Sequence, residues 1–206
     1  MATLVVAGAL AACDGSPAGS DSEIPIYGAC NLTPNYIDEV ALNRWRSFPL
    51  AYFFDAASFS PDFVDLYREA IGTGIRSWAE ASGTELGMIV EVNTREEADL
   101  VVNFRDIFPE DISARAFHRT GTPFLADGEI AFNPLDLERR EQRVRDGLFE
   151  RDLFALVIRL IAAHEMGHIL GIIGHPMRQD VVMGNGLVET PQPADLNTIL
   201  HAYCRP

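Results

Sequence analysis

The chain of 206 residues has few basic side chains: 16 lysine and arginine residues stand against 30 aspartate and glutamate residues, a formal net charge of −14. Nucleic-acid binding and attachment to anionic lipid by charge both need a basic surface, so the composition argues against both. Three cysteines are too few for a disulfide-dense small domain. No apolar run reaches the roughly 18 residues of a membrane span. Hydrophobic residues make up 48% of the chain, which is enough for a core and excludes wholesale disorder.

The N-terminal segment resembles an export signal. Residues 4–12 are apolar but too few to span a membrane, and the Leu-Ala-Ala-Cys sequence ending at Cys13 resembles a bacterial lipobox. Residues 14–25, rich in Gly, Ser, Pro and Asp, predict a flexible tether before a folded domain over residues 26–206. We therefore expect an exported protein, either an envelope lipoprotein lipidated at Cys13 or a secreted or periplasmic one. An ordinary cleaved signal and a stray apolar N-terminus are the alternatives.

Two cysteines remain if Cys13 carries lipid. Cys30 and Cys204 lie near the two ends of the folded part, and in an exported domain this pair predicts one disulfide. The alternative is that Cys30 blocks a metal ion as an inhibitory thiolate, which the neighbouring residues 27–31 do not suggest.

Hydrophobic periodicity predicts a fold with a mixed sheet, of the α+β class or, as the alternative, the α/β class. Four β-rich runs predict strands within residues 48–54, 88–92, 99–104 and 129–132. Apolar residues at helical spacing predict a long helix that opens with Ser60 at its N-cap and ends at Gly83. Residues 105–127 contain proline and glycine and predict a loop, whereas the charged residues 138–151 predict a solvated helical face or an exposed loop.

A second predicted helix carries the residues with chemistry. From Leu153 its apolar residues recur at intervals of three and four, and the same face continues to His164 and His168. Two imidazoles four residues apart on a helix point the same way and can bind one metal ion. Glu165 lies between them, in the order His-Glu-x-x-His, where its carboxylate can reach a metal-bound water. A pair of satisfied core histidines is the alternative interpretation.

The residues after this motif extend it. Gly171 can end the helix in a left-handed turn, and His175 follows Gly174. The sequence HEMGHILGIIGH resembles the zinc signature of metzincin peptidases, His-Glu-x-x-His-x-x-Gly-x-x-His, but its last histidine comes one residue later than in the family. Either the loop holds one extra residue and His175 is the third ligand, or the third ligand differs.

Three further segments resemble the matrixin branch of the metzincins. Residues 181–184, Val-Val-Met-Gly, resemble the Met-turn, in which a methionine, here Met183, forms a floor beneath the metal; an ordinary core methionine is the alternative. Residues 193–203 resemble the closing helix, and residues 45–92 resemble the opening strand, helix and strand. The resemblance implies a metzincin-like mixed, twisted β-sheet with a long helix, an active-site helix and a C-terminal helix.

The resemblance implies a zinc-dependent endopeptidase acting on protein or peptide substrates. His164, His168 and His175 would bind one zinc ion, and Glu165 would be the general base for the zinc-bound water. By the same analogy an edge strand, expected near residues 129–132, would pair with an extended substrate. Calcium is not indicated, because no loop has a recognisable oxygen-ligand spacing. We expect a monomer that contacts the membrane only through the lipid anchor.

Two other interpretations stay open. A gluzincin-type zinc peptidase would take its third ligand from Glu189 instead. A surface-anchored binding protein with a vestigial metal site would not be an enzyme, although the intact Glu165 argues against decay. His118 and His201 are predicted to be surface or structural residues, and His118 with Asp127 could form a second metal site.

Overall fold

The fold is described from a computed structural model. It covers residues 32–83, 86–106, 109, 112–121, 124–184 and 186–203. The predictions of a lipobox at Cys13, of a tether over residues 14–25 and of a Cys30–Cys204 disulfide lie outside these residues. Within them, the buried apolar side chains of the helices and strands form one hydrophobic core.

A mixed five-stranded sheet forms the main β-layer. Its strands, in spatial order, are β3 (Ile89–Val92), β2 (Leu50–Phe54), β4 (Leu100–Phe104), β6 (Phe124–Phe132) and β5 (Ala114–Gly121). The first four run parallel to one another, and β5 pairs antiparallel with β6. A small antiparallel pair joins β1 (Ala41–Leu42) to β7 (Ile172–Ile173).

The described residues also form four α-helices. They are α1 (Val64–Ser82), α2 (Pro134–Arg145), α3 (Arg151–Leu170) and α4 (Pro193–Tyr203). The predicted α+β fold with a mixed sheet is therefore confirmed. Among the helices described, only α3 is long and apolar enough to cross a membrane, but it packs against α1 and the sheet. The indole N–H of Trp78 on α1 donates to the Ala163 carbonyl of α3 at 2.8 Å.

Helix α1 begins later than its sequence predicts. Residues 60–63 form a turn, in which the Phe63 N–H donates to the Ser60 carbonyl at 3.1 Å, so Ser60 is not the N-cap. Packing explains the difference, because the Phe63 ring is buried and meets the Phe154 ring edge-on at 5.9 Å. The other end is as predicted: Gly83 ends the helix with φ of 67°.

The segment predicted as a loop is a hairpin. Residues 105–127 contain all of β5 and the first part of β6, which begins at Phe124. Because β6 lies between β4 and β5, the prediction of a free edge near residues 129–132 is wrong, and the edge strand is β5. Its composition hid it: β5 carries arginine, histidine and alanine, and its pairing with β6 stabilises it rather than its own propensity.

Helix α2 accounts for most of the charged segment. The Asn133 side chain caps it by accepting from the Leu135 N–H at 3.1 Å. Its face is not only solvated, since Glu141 is buried and accepts a hydrogen bond from the Tyr67 hydroxyl at 2.7 Å. This bond ties α2 to α1.

Candidate metal centre

Three histidine side chains meet beside the C-terminal half of α3. Nε2 of His175 lies 3.0 Å from Nε2 of His164 and 3.2 Å from Nε2 of His168. Nitrogen ligands about 2.05 Å from a tetrahedral metal lie about 3.3 Å from one another, so this spacing fits one shared ion. In the part of the chain that the structure describes, these residues are the one such group that could hold a metal ion.

Backbone carbonyls orient two of the imidazoles. Nδ1 of His164 donates to the Val182 carbonyl, and Nδ1 of His168 donates to the Ile172 carbonyl, both at 2.8 Å. A carbonyl oxygen can only accept, so each Nδ1 carries the ring proton. The Nε2 lone pairs are then free to bind a metal, with the supporting bonds that metal-bound histidines need.

Burial keeps these two imidazoles neutral. It lowers the pKa of His164, and it lowers the pKa of His168 to about 4, although the carbonyl bonds oppose both shifts. A neutral imidazole is the form that binds a metal ion. The protein therefore presents both rings ready for coordination near neutral pH.

Two glycines and a backbone hydrogen bond from Asn43 shape the turn that places His175 beside the other two histidines. Gly171 ends α3 with φ of 123°, and Gly174 has φ of 101°, as its place before an extra loop residue predicts. The Asn43 N–H donates to the Gly171 carbonyl at 2.8 Å, and a Cβ at Gly171 would lie 2.1 Å from the Asn43 oxygen. The segment beside β1, which sequence reasoning did not connect to the site, thus fixes the turn.

The structure places Glu189 elsewhere. Its half-exposed carboxylate accepts from the Arg159 guanidinium on α3, and it is not part of the histidine group. Of the two sequence-based candidates for the third ligand, the structure brings His175 to the other histidines.

Glu165 is buried against the edge strand. The residue is 8% exposed, and its Oε2 accepts the Ala116 N–H of β5 at 2.7 Å. Burial raises the pKa of Glu165 to about 7, while the Ala116 N–H and the charge of Arg115 oppose the shift. A carboxyl group with a pKa near neutrality can both accept and release a proton. The pairing with Ala116 has no sequence signal, because it joins residues 49 positions apart.

A cleft of about 440 Å³ lies between β5 and the histidine turn. Its walls are Ile112, Ala114, Arg115, Ala116, His118, Glu165, His168, Ile172, Ile173, Gly174 and His175. The cleft therefore opens onto two of the three candidate ligands and onto the buried carboxyl group.

The other two histidines lie outside the metal group. His118 is half-buried in the cleft wall rather than on the outer surface, and burial lowers its pKa. Its predicted partner Asp127 instead accepts from Nε of Arg119 at 2.6 Å, so the two do not form a second metal site. His201 lies on α4 and is half-buried.

A buried carboxylate holds the loop behind the site. Asp195 on α4 is fully buried and accepts the Tyr36 hydroxyl at 2.7 Å and the Val182 N–H at 2.9 Å. Since the Val182 carbonyl in turn accepts from His164, Asp195 positions that candidate ligand through one residue, Val182. Sequence reasoning missed Asp195; its place in the first turn of a predicted helix was the available signal.

Met183 is packed against α3 at Gly167. It is fully buried, and a Cβ at Gly167 would lie 2.1 Å from its sulfur and 2.7 Å from the Trp78 ring. Gly167 directly precedes His168, so the methionine occupies the helix surface beside a candidate ligand. The close approach requires glycine at this helical position.

We expect Gly167→Ala to lower stability despite the better helix propensity of alanine. Overpacking against Met183 should reduce the free energy of unfolding by about 2 kcal/mol. Thermal denaturation would show this as a fall in Tm of roughly 5 °C. Because the nearest clash is with the Met183 sulfur, adding Met183→Ala should cost less in the Gly167→Ala background than in the wild type. Strictly additive losses would contradict the contact.

No protein-family model matches the chain, and no curated protein matches it.

Proposed function

We propose that this protein is a zinc-dependent endopeptidase. The observation that carries the proposal is the group of three converging imidazoles beside the buried carboxyl group of Glu165, at the edge of a sheet. Imidazole ligands suit zinc, and a set of three protein ligands is typical of catalytic rather than structural zinc sites.

Zinc, when bound, supplies a Lewis acid that lowers the pKa of water and polarises a carbonyl group. Glu165 takes the proton from the attacking water and passes it to the nitrogen of the leaving amine. The Ala116 N–H holds Oε2 of this carboxylate, which leaves Oε1 for the proton. Its raised pKa suits both halves of the transfer, because the group must hold the proton between them.

The edge strand supports an extended peptide as the substrate. Within the described residues β5 pairs only with β6, so its other edge is open for hydrogen bonds to a further strand. A peptide that adds to β5 there lies in the cleft beside Glu165. An endopeptidase binds substrate residues on both sides of the cleaved bond. An open strand edge can accommodate a peptide that continues past the site in both directions.

Metal dependence tests the proposal. The purified protein should contain one zinc ion per chain and should cleave a quenched-fluorescence peptide library. A chelator should abolish cleavage, and one equivalent of zinc should restore it. Cleavage that survives complete removal of the metal, confirmed by elemental analysis, would contradict the proposed function.

A further inference from the structure

Arg115 places a positive charge in the wall of the cleft. It is exposed and lies directly before Ala116, whose N–H holds the Glu165 carboxylate. It is close enough to Glu165 to lower the pKa of that group. Within the described residues Arg115 has no hydrogen bond or ion pair, although its guanidinium offers five donors.

Seven other arginines of this acidic chain form ion pairs. The chain has no lysine, and its 16 basic residues are all arginine. Carboxylates pair with Arg68, Arg105, Arg119, Arg140, Arg145, Arg159 and Arg178. Arg119 lies on the same strand face as Arg115, four residues away, and is paired with Asp127. Arg115, which lines the cleft, has no such carboxylate partner among the described residues.

The charge of the cleft differs from that of the whole molecule. Among the described residues that line it, Glu165 is the only carboxylate and Arg115 the only arginine. The Ala116 N–H already engages the Glu165 carboxylate. In a protein with a net charge of −14, this cleft is a place where an acidic group of a ligand meets a cation and little repulsion from the walls.

We propose that Arg115 selects substrates with an acidic side chain within two residues of the scissile bond. This inference rests on the proposed endopeptidase function. A strand advances about 3.3 Å per residue. In a peptide paired with β5, the side chain that reaches Arg115 therefore lies one or two substrate residues away from the bond that is opposite Glu165. The planar guanidinium binds a carboxylate through two parallel hydrogen bonds, which glutamine cannot reproduce.

Matched peptides test the preference. In each pair one position near the cleaved bond carries Glu or Gln and the remainder is identical. When the varied position is the one that reaches Arg115, the wild type should cleave the Glu peptide with a kcat/KM roughly tenfold higher than that of the matching Gln peptide. The ratio should fall as salt is added, since part of the attraction is screened.

Variants of Arg115 identify the residue responsible. Arg115→Gln should bring the ratio of the two kcat/KM values to about one, and Arg115→Glu should favour the peptide with lysine at the same position. Arg119→Gln is the matched control, because it removes an arginine from the same strand face, and it should keep the wild-type ratio. A preference that Arg119→Gln abolishes and Arg115→Gln leaves intact would overturn the assignment.

Binding separates this inference from the proposed function. Fluorescence anisotropy of labelled Glu and Gln peptides on zinc-loaded Glu165→Gln protein should show roughly tenfold tighter binding of the Glu peptide, lost when Arg115→Gln is added. If the wild type cleaves no peptide, the endopeptidase proposal fails, and the binding ratio still decides the role of Arg115. Equal binding of the two peptides would overturn the inference.

Discussion

Glu165→Gln is expected to reduce peptidase kcat/KM by about a thousandfold while the protein keeps its zinc. Glutamine has nearly the same shape, and its amide oxygen can still accept the Ala116 N–H. It cannot take a proton from water at neutral pH, so the step assigned to Glu165 is lost. The three imidazoles that could hold the metal are unchanged, so zinc binding should not be affected.

The comparison needs activity, metal content and a control. Peptide cleavage and zinc stoichiometry are measured on the same preparations, and Tm shows whether the fold is intact. Glu129→Gln is the control: it makes the same chemical change on β6, where the carboxylate pairs with Arg105 at 2.7 Å. This variant should cleave like the wild type. A Glu165→Gln protein that is folded, zinc-loaded and fully active would refute the mechanism.

His175→Ala is expected to weaken zinc binding by at least about a hundredfold, whereas Glu189→Ala should leave it almost unchanged. The Nε2 atom of His175 completes the group with His164 and His168, and its removal leaves two ligands. Glu189 is paired with Arg159, so its loss affects a partly exposed ion pair worth about 0–1 kcal/mol.

Competition with a chromophoric chelator gives the zinc affinity of both variants. His201→Ala serves as a further control, because it removes an imidazole from α4 outside the metal group. The reverse pattern, with zinc lost from Glu189→Ala and retained by His175→Ala, would show that Glu189 is the ligand. It would also contradict the ligand set that the resemblance to metzincins implies.

Local sequence patterns predicted much of the helical part of the fold. The repeating apolar residues of α1 and α3 follow helical spacing over 19 and 20 residues, and Gly83 and Gly171 end these helices. Such signals depend on neighbours along the chain, so they need no knowledge of the fold. Strand β5 has no such signal, because its stability comes from pairing with β6.

The candidate ligands were only partly determined by sequence. His164 and His168 are one helical turn apart, which places both on one face of α3 in any fold. The position of His175 depends on the path of the chain after Gly171, so sequence left two candidates for the third ligand. The turn is held by Asn43, more than 100 residues earlier in the chain, and that contact brings His175 to the other rings.

By itself, then, the sequence determined the α+β class, the main helices and the residue types of a metal site, since each follows from local periodicity or spacing. Only the tertiary structure decided that β5 is an edge strand and that Ala116 holds Glu165. It also decided that Asp195 supports His164 through Val182, and that Arg115 lines the cleft without an ion-pair partner among the described residues. Each of these depends on residues distant along the chain, which chain folding brings within hydrogen-bonding or electrostatic reach.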